Sequence, residues 1–214
     1  CLLIMFIGRV PVQHLALVVM VGILGLSVAI LTGQRKDTFL SRIETFMDSK
    51  DDDSKVPFQA EQSYIAIATG GITGKGPGNS EQRNTLPHPY SDFIYAIILE
   101  EYGMVGGVSV LFLYLALLYR GMLIVANSNK AFGGLLSAGL SFALVIQALV
   151  NMAVAVGLGP ITGLPLPLLS MGGTSLIFTG TALGIILSVS RGDHQEEVLA
   201  TSEGTKKGNQ LRTA

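Results

Sequence analysis

Charge is what this chain has least of. Only 14% of its 214 residues are Asp, Glu, Lys or Arg, against about 25% in an average soluble domain. Hydrophobic residues make up 49%, the mean hydropathy is +0.54, and from Ala131 to Ser190 there is no charged side chain at all. Such segregation follows from the two solvents a membrane protein meets. Cysteine is nearly absent too: Cys1 stands alone, which excludes an internal disulfide framework and a cysteine zinc site. The three histidines, His14, His88 and His194, lie far apart, so they do not suggest a metal cluster. A net charge of −1 and a pI near 6.3 offer no concentrated basic surface, which argues against a nucleic-acid partner.

About 20 apolar residues cross a bilayer, and on that rule four spans are expected: 12–31, 93–119, 131–156 and 174–190. Residues 1–8 read as the stub of a preceding span, with a lipid-modified Cys1 as the alternative. The short connector 120–130 and the tail 191–214 carry the informative basic residues, so both are expected in the cytoplasm. The loop 32–92 is then extracytoplasmic, and its seven Lys and Arg are diluted by its length and its acids. Within it, 42–47 suggests a short amphipathic helix, 48–54 a solvated acidic turn, and 62–69 a helix along the membrane surface. The tail beyond Gly192 is polar and expected to be disordered.

Chemistry concentrates where the outer loop becomes an apolar helix, in Pro87-His88-Pro89-Tyr90-Ser91-Asp92-Phe93-Ile94. Asp92 has two readings there: an N-cap of the helix that follows, or a catalytic carboxylate at the membrane rim. Glu100 and Glu101 follow about 12 Å further along a helix of 1.5 Å rise, where charged groups face a bundle interior or a wet cavity. At 100° per residue only Glu100 shares the Asp92 side. The alternative for both is a structural pair with a basic or amide partner from another segment. The separation of Asp92 and Glu100 is too wide for the carboxylate pair of a glycoside hydrolase.

Gly70 to Gly78 holds five glycines in nine residues, with Lys75 among them. It resembles a phosphate cradle, but it is not a Walker A loop, because its glycine spacing is short and Gly76 stands where Ser or Thr is required. A flexible turn is the plainer reading. Residues 157–173 form a Pro/Gly-rich stretch: Gly157 to Ser175 contains three prolines and five glycines without charge, and it cannot be one regular helix. Irregular backbone in a membrane needs protein or a wet cavity beside it, so it reads as a broken entry to the last span.

Three strings in order, Gln62-Ser63 through Gly74-Lys75-Gly76, Pro87 through Glu100-Glu101-Tyr102-Gly103, and Asn151 through Gly163-Leu164-Pro165-Leu166-Pro167 to Gly172-Gly173-Thr174-Ser175, resemble the SEDS family (shape, elongation, division and sporulation) of FtsW and RodA proteins. Gly76-Pro77-Gly78-Asn79-Ser80-Glu81-Gln82 is more similar to its division branch, FtsW. Tyr90-Ser91 and Met171 depart from the family pattern, which usually has His-Thr and Tyr at these places.

The resemblance implies an all-α polytopic fold of ten spans, about four of them here, in the bacterial cytoplasmic membrane. It implies a peptidoglycan glycosyltransferase that polymerises lipid II during cell division, with a class B penicillin-binding protein transpeptidase and other divisome membrane proteins as partners. Asp92 is then the base for the acceptor hydroxyl, or the ligand of a divalent cation, magnesium or manganese, with Lys75 and Arg83 neutralising phosphate. Gln82, Ser170, Gly172 and Gly173 are further substrate-binding candidates, and Glu100 and Glu101 are cavity-lining or structural. A lipid-precursor flippase or transporter is the competing expectation, since intramembrane acids and broken helices also mark transport paths.

Overall fold

A computed structural model describes residues 5, 8, 11–32, 41–42, 45–48, 56–85, 91–128 and 131–212. Among them there is no strand. Five helices follow in order: α1 Val12–Thr32, α2 Phe58–Gly70, α3 Ile94–Asn127, α4 Ala131–Ala155 and α5 Gly173–Arg212, with a 3₁₀ turn at Gln82–Asn84. Ile94–Ala126, Phe132–Ala155 and Gly173–Gly192 are long and apolar enough to cross a membrane. The all-helical polytopic expectation therefore holds. Residues 41–42 and 45–48 are helical, whereas the expected acidic turn beyond Asp48, the Pro87–Tyr90 string and most of the stub at 1–8 lie outside the described residues.

The centre of the bundle is the antiparallel pair α3 and α4, whose long apolar stretches bury Tyr95, Leu99 and Tyr114 against Val145, Ala148, Met152 and Ala155. The pair closes tightly because its facing residues are small: a Cβ on Gly121 would lie 2.3 Å from Ser141 Oγ, the close approach that small residues allow in membrane bundles. A second cluster joins Leu144 of α4 to Ala182 and Ile186 of α5. Helix α1 contributes to neither cluster. Met20, Ile23 and Leu24 are exposed along it, as suits a helix facing hydrocarbon. A concavity along its own side, lined by residues such as Leu15 and Val19, holds no titratable group.

Two boundaries differ from expectation. Helix α3 runs on to Asn127, so the connector expected at 120–130 shrinks to 128–130. Arg120 does not end the helix, because a long basic side chain can snorkel while its backbone continues. The tail is not irregular: α5 continues to Arg212, through a stretch without proline in which Gln195 to Ala200 are mostly good helix formers.

A break inside α3 matters most for the site. Gly103 has φ 66° and ψ −167°, so the stretch expected as one span at 93–119 is a short segment above the break followed by a helix over 104–127. The latter is about 36 Å long at 1.5 Å per residue, enough for a hydrocarbon core of about 30 Å.

Candidate active site at one end of the bundle

The glycine loop fills the break in α3. The N–H groups of Met104 and Val105, which a continuous helix would give to Glu100 and Glu101, donate instead to the carbonyls of Gly71 (3.0 Å) and Ile72 (3.3 Å). In return the carbonyls of Glu100 and Glu101 accept from the N–H groups of Lys75 (3.0 Å) and Gly76 (2.9 Å). The exchange leaves these backbone groups paired, as burial requires. Only glycine fits the seam: a Cβ on Gly74 would lie 2.2 Å from Glu101 O, and one on Gly103 would lie 2.3 Å from Ile72 O. The N–H groups of Lys75 and Gly76 are thus taken by α3 and that of Gly74 by Gly70 O at 2.9 Å, so these three do not form a phosphate cradle.

Glu100 is fully buried, and the loop wraps it with four donors. Oε1 accepts from Lys75 Nζ at 3.0 Å and Glu81 N at 3.2 Å, while Oε2 accepts from Ser80 Oγ at 2.5 Å and Gln82 N at 3.4 Å. A buried anion is tolerable only when paired and hydrogen-bonded in this manner. Lys75 also lies 3.5 Å from Glu81, and its pKa is raised, above all by the hydrogen bond to Glu100. Glu100 therefore faces the outer loop and not a wet cavity shared with Asp92. The angular estimate along one helix fails because Asp92 sits in a turn before α3 begins at Ile94. Glu101 is half-buried, and its side chain has no polar partner among the described residues.

Helix α2 holds this loop in place. The expected helix at 62–69 exists within Phe58–Gly70, with Ser63, Ala66 and Gly70 buried. Its buried face packs on protein: Ser63 Oγ donates to Ala155 O at 2.8 Å, and a Cβ on Gly70 would lie 2.0 Å from Leu99 O.

Asp92 belongs to a second group at the same end. It is half-buried, and the N-cap reading does not hold: the cap position is Phe93, without a side-chain cap bond. Its Oδ1 accepts from Ser91 Oγ at 2.9 Å. Its Oδ2 has no hydrogen-bond partner among the described residues and faces Gly163, where a Cβ would come to 3.6 Å. Gly163, at φ 71°, thus keeps that side of the carboxylate open.

The backbone carbonyls around Asp92 are fastened to the Pro-rich segment and α4. Ser170 Oγ donates to Ser91 O at 2.5 Å and accepts from Leu166 N at 2.7 Å. Asn151 Nδ2 donates to Asp92 O at 2.8 Å and to Leu164 O at 2.7 Å. Gln147 donates to Pro165 O at 2.9 Å, and the Tyr114 hydroxyl donates to Pro167 O. These side chains satisfy an irregular backbone that has no helix ladder of its own. Arg42 adds a bond from the outer loop, to Ile161 O at 3.1 Å.

The candidates therefore separate into two groups. Lys75 and Gln82 gather around Glu100, with half-buried Arg83 next in the chain. Ser170 joins Asp92, but as a buried brace. Gly172 precedes α5 and Gly173 begins it: the Gly172 N–H donates to Ser170 O at 3.1 Å, and a Cβ on Gly173 would meet nothing within 4 Å. Sequence reasoning missed Ser80 and Asn151. Ser80 carries no local signal, but an amide inside an uncharged apolar helix is costly enough to be one. Among the described residues Asp92 is the one carboxylate of this group, and no group of three His, Cys, Asp or Glu could hold a metal, so those residues alone do not make a dedicated metal site.

These features define an α-helical integral membrane protein whose Asp92 and Glu100 groups lie at one end of its bundle. The FtsW/RodA/SpoVE profile, described as cell cycle protein, matches residues 1–195, and the chain belongs to that family. It is 34% identical over 192 residues to the stage V sporulation protein E of Bacillus subtilis, covering 89% of this chain and 52% of the relative. It is 42% identical over 170 residues to a probable peptidoglycan glycosyltransferase FtsW of Alkalilimnicola ehrlichii, covering 78% and 42%. With the peptidoglycan glycosyltransferase MrdB of Escherichia coli it shares 37% over 150 residues, covering 69% and 40%. A chain of a solved peptidoglycan synthase complex, described for its coordination of polymerization and crosslinking, superposes with a TM-score of 0.60 at 29% identity, over 90% of this chain and 53% of that one. The chain spans about half the length of the curated relatives it matches.

Proposed function

We propose that this chain carries the catalytic end of a peptidoglycan glycosyltransferase that polymerises lipid II at the outer face of the bacterial cytoplasmic membrane during cell division. The observation that carries the reading is Asp92: a half-buried carboxylate, relieved of helix capping, with one oxygen open toward Gly163. The names of the FtsW and MrdB relatives support the substrate class and the reaction.

In the reaction, the acceptor sugar hydroxyl of one lipid II attacks the anomeric carbon of another. The new C–O bond forms as the bond to the lipid pyrophosphate breaks. The pyrophosphate leaves with its electron pair and needs no acid, whereas the acceptor hydroxyl needs a base. Asp92 takes that proton, and Arg83 is the cation best placed in sequence and least committed to other groups to meet phosphate charge. The described complex of polymerization and crosslinking supports a transpeptidase partner, of the class B penicillin-binding type, within the division machinery.

Asp92→Asn in the whole protein, assayed with its partner on purified lipid II, should lose polymerisation by about 10²–10⁴-fold while membrane insertion and partner binding persist. Activity above about a tenth of wild type would remove Asp92 from the role of base.

A further inference from the structure

The turn that carries Asp92 is not held by the helix it precedes. No side chain caps α3, and the Asp92 carboxylate bonds to its neighbour Ser91. What fixes the turn is a pair of side chains from elsewhere, acting on two consecutive carbonyls: Ser170 on Ser91 O and Asn151 on Asp92 O.

Asn151 differs from Ser170 in what else it does. Ser170 also accepts from Leu166 N and closes the turn 166–170 through Ser170 N to Leu166 O at 2.9 Å, so its loss would loosen the local chain. Among the described residues the Asn151 side chain hydrogen-bonds backbone only at Asp92 and Leu164, and the helical hydrogen bonds of α4 do not involve it. Its orientation is unambiguous, because both partners are carbonyls and only the amide nitrogen can donate. The price is Oδ1, which is buried without a partner among the described residues in a residue only 2% exposed. A local rule broken in this way is expected at functional sites.

We propose that Asn151 is a positioning residue for the reaction: its amide locks the Asp92 carbonyl to the Leu164 carbonyl, and so sets the direction in which the Asp92 carboxylate points past Gly163. The inference rests on Asp92 acting as the base. With the carbonyls of Ser91 and Asp92 both held, little backbone freedom remains around the Asp92 Cα. Release of one would let the carboxylate swing without removing it. A misplacement of about 1 Å costs about 10²-fold in rate when geometry carries the catalysis.

The test is lipid II polymerisation by the whole protein in proteoliposomes, with folded protein quantified for each variant. Asn151→Leu, near in volume, and Asn151→Asp, equal in shape but without the donor, should lower kcat per folded molecule by about tenfold or more and leave KM within about twofold. Asn151→Gln, which restores the donor on a longer stem, should recover part of kcat. Wild-type kcat per folded molecule in the Leu and Asp variants overturns the proposal. Should those two not fold, Asn151→Ala removes the donor with the smallest change to the helix, and wild-type kcat per folded molecule there overturns it equally. Asp92→Asn, run alongside, separates the two readings: if it is active, the base itself is wrong, and if it is dead while the Asn151 variants run at full rate, only the positioning role fails.

Discussion

Lys75 Nζ lies 3.0 Å from Glu100 Oε1 across the seam where the glycine loop enters the break in α3. The pair joins a loop residue to a buried helix residue, and Ser80, Glu81 and Gln82 complete the wrapping of the carboxylate. Removing one partner strands the other, while removing both does not. Glu100→Gln and Lys75→Met should each lower the melting temperature of the detergent-solubilised protein by several degrees. The double variant should lie above the sum of the two losses, and strictly additive losses would dissolve the coupling. Because the pKa of Lys75 is raised by Glu100, its contribution is complete below the ordinary value of 10.5 and is lost as pH rises through the higher folded value. Protease protection of the loop should therefore persist at pH 10.5 in wild type and be weaker, and insensitive to that titration, in Lys75→Met.

Gly103→Ala should be far more damaging than an alanine elsewhere in the spans. At Gly103 a Cβ meets Ile72 O at 2.3 Å with φ at 66°, whereas at Gly184 of α5 a Cβ meets nothing within 4 Å. The Gly103 backbone, with ψ −167°, is essentially open to glycine alone and costs about 1–3 kcal/mol for a residue with a Cβ, and the clash adds to it. Gly184→Ala should be neutral or stabilising by up to about 1 kcal/mol. Equal melting temperatures for the two variants would mean that the loop does not dock at the break.

Topology gives a third test. Ser63 bonds Ala155, Asn151 bonds Asp92 and Ser170 bonds Ser91, so 58–85, 91–92 and 156–172 gather at one end of the bundle, opposite the ends of α3 and α4 at Asn127 and Ala131. Arg120, Lys130 and Arg191, all toward the far end, argue that it is cytoplasmic. With Cys1 replaced, an impermeant thiol reagent on intact spheroplasts should label Asn79→Cys and spare Gly192→Cys. The reverse pattern inverts the protein in the membrane.

The helices were legible because apolar runs and glycine-rich breaks are local signals, and so was the irregular Pro-rich segment before α5. What escaped was decided at long range. Nothing between Ile94 and Asn127 marks Gly103 as a break, since glycine is common in membrane helices; the break exists because a loop 25 to 33 residues earlier supplies its hydrogen bonds. Helical angles carried back from Glu100 to Asp92 do not apply, because Asp92 precedes the first helical residue, Ile94. The true partner of Glu100 lies 25 residues away. Asp92 itself was legible from the change of polarity around it, but the hands that hold it, Asn151 and Ser170, are 59 and 79 residues distant.

Arg83 and Lys75 provide the sharpest contrast between a charge used by the fold and one left for a ligand. Both sit in the outer loop, yet Lys75 is committed to Glu100 and Glu81, while the Arg83 side chain is half-buried and has no polar partner among the described residues. Its backbone is nonetheless anchored, since its N–H donates to Ser80 Oγ at 3.1 Å and Ser80 in turn holds Glu100. A guanidinium on a fixed backbone suits bidentate contact with phosphate oxygens. Arg83→Ala should therefore raise KM for lipid II several-fold with the melting temperature unchanged, and Arg83→Lys should recover part of the loss. Lys75→Ala should show the opposite balance, a lower melting temperature with KM near wild type for whatever protein remains folded. If Lys75→Ala instead raises KM at full stability while Arg83→Ala is silent, the pyrophosphate meets the lysine, and the ion pair with Glu100 must open when substrate binds.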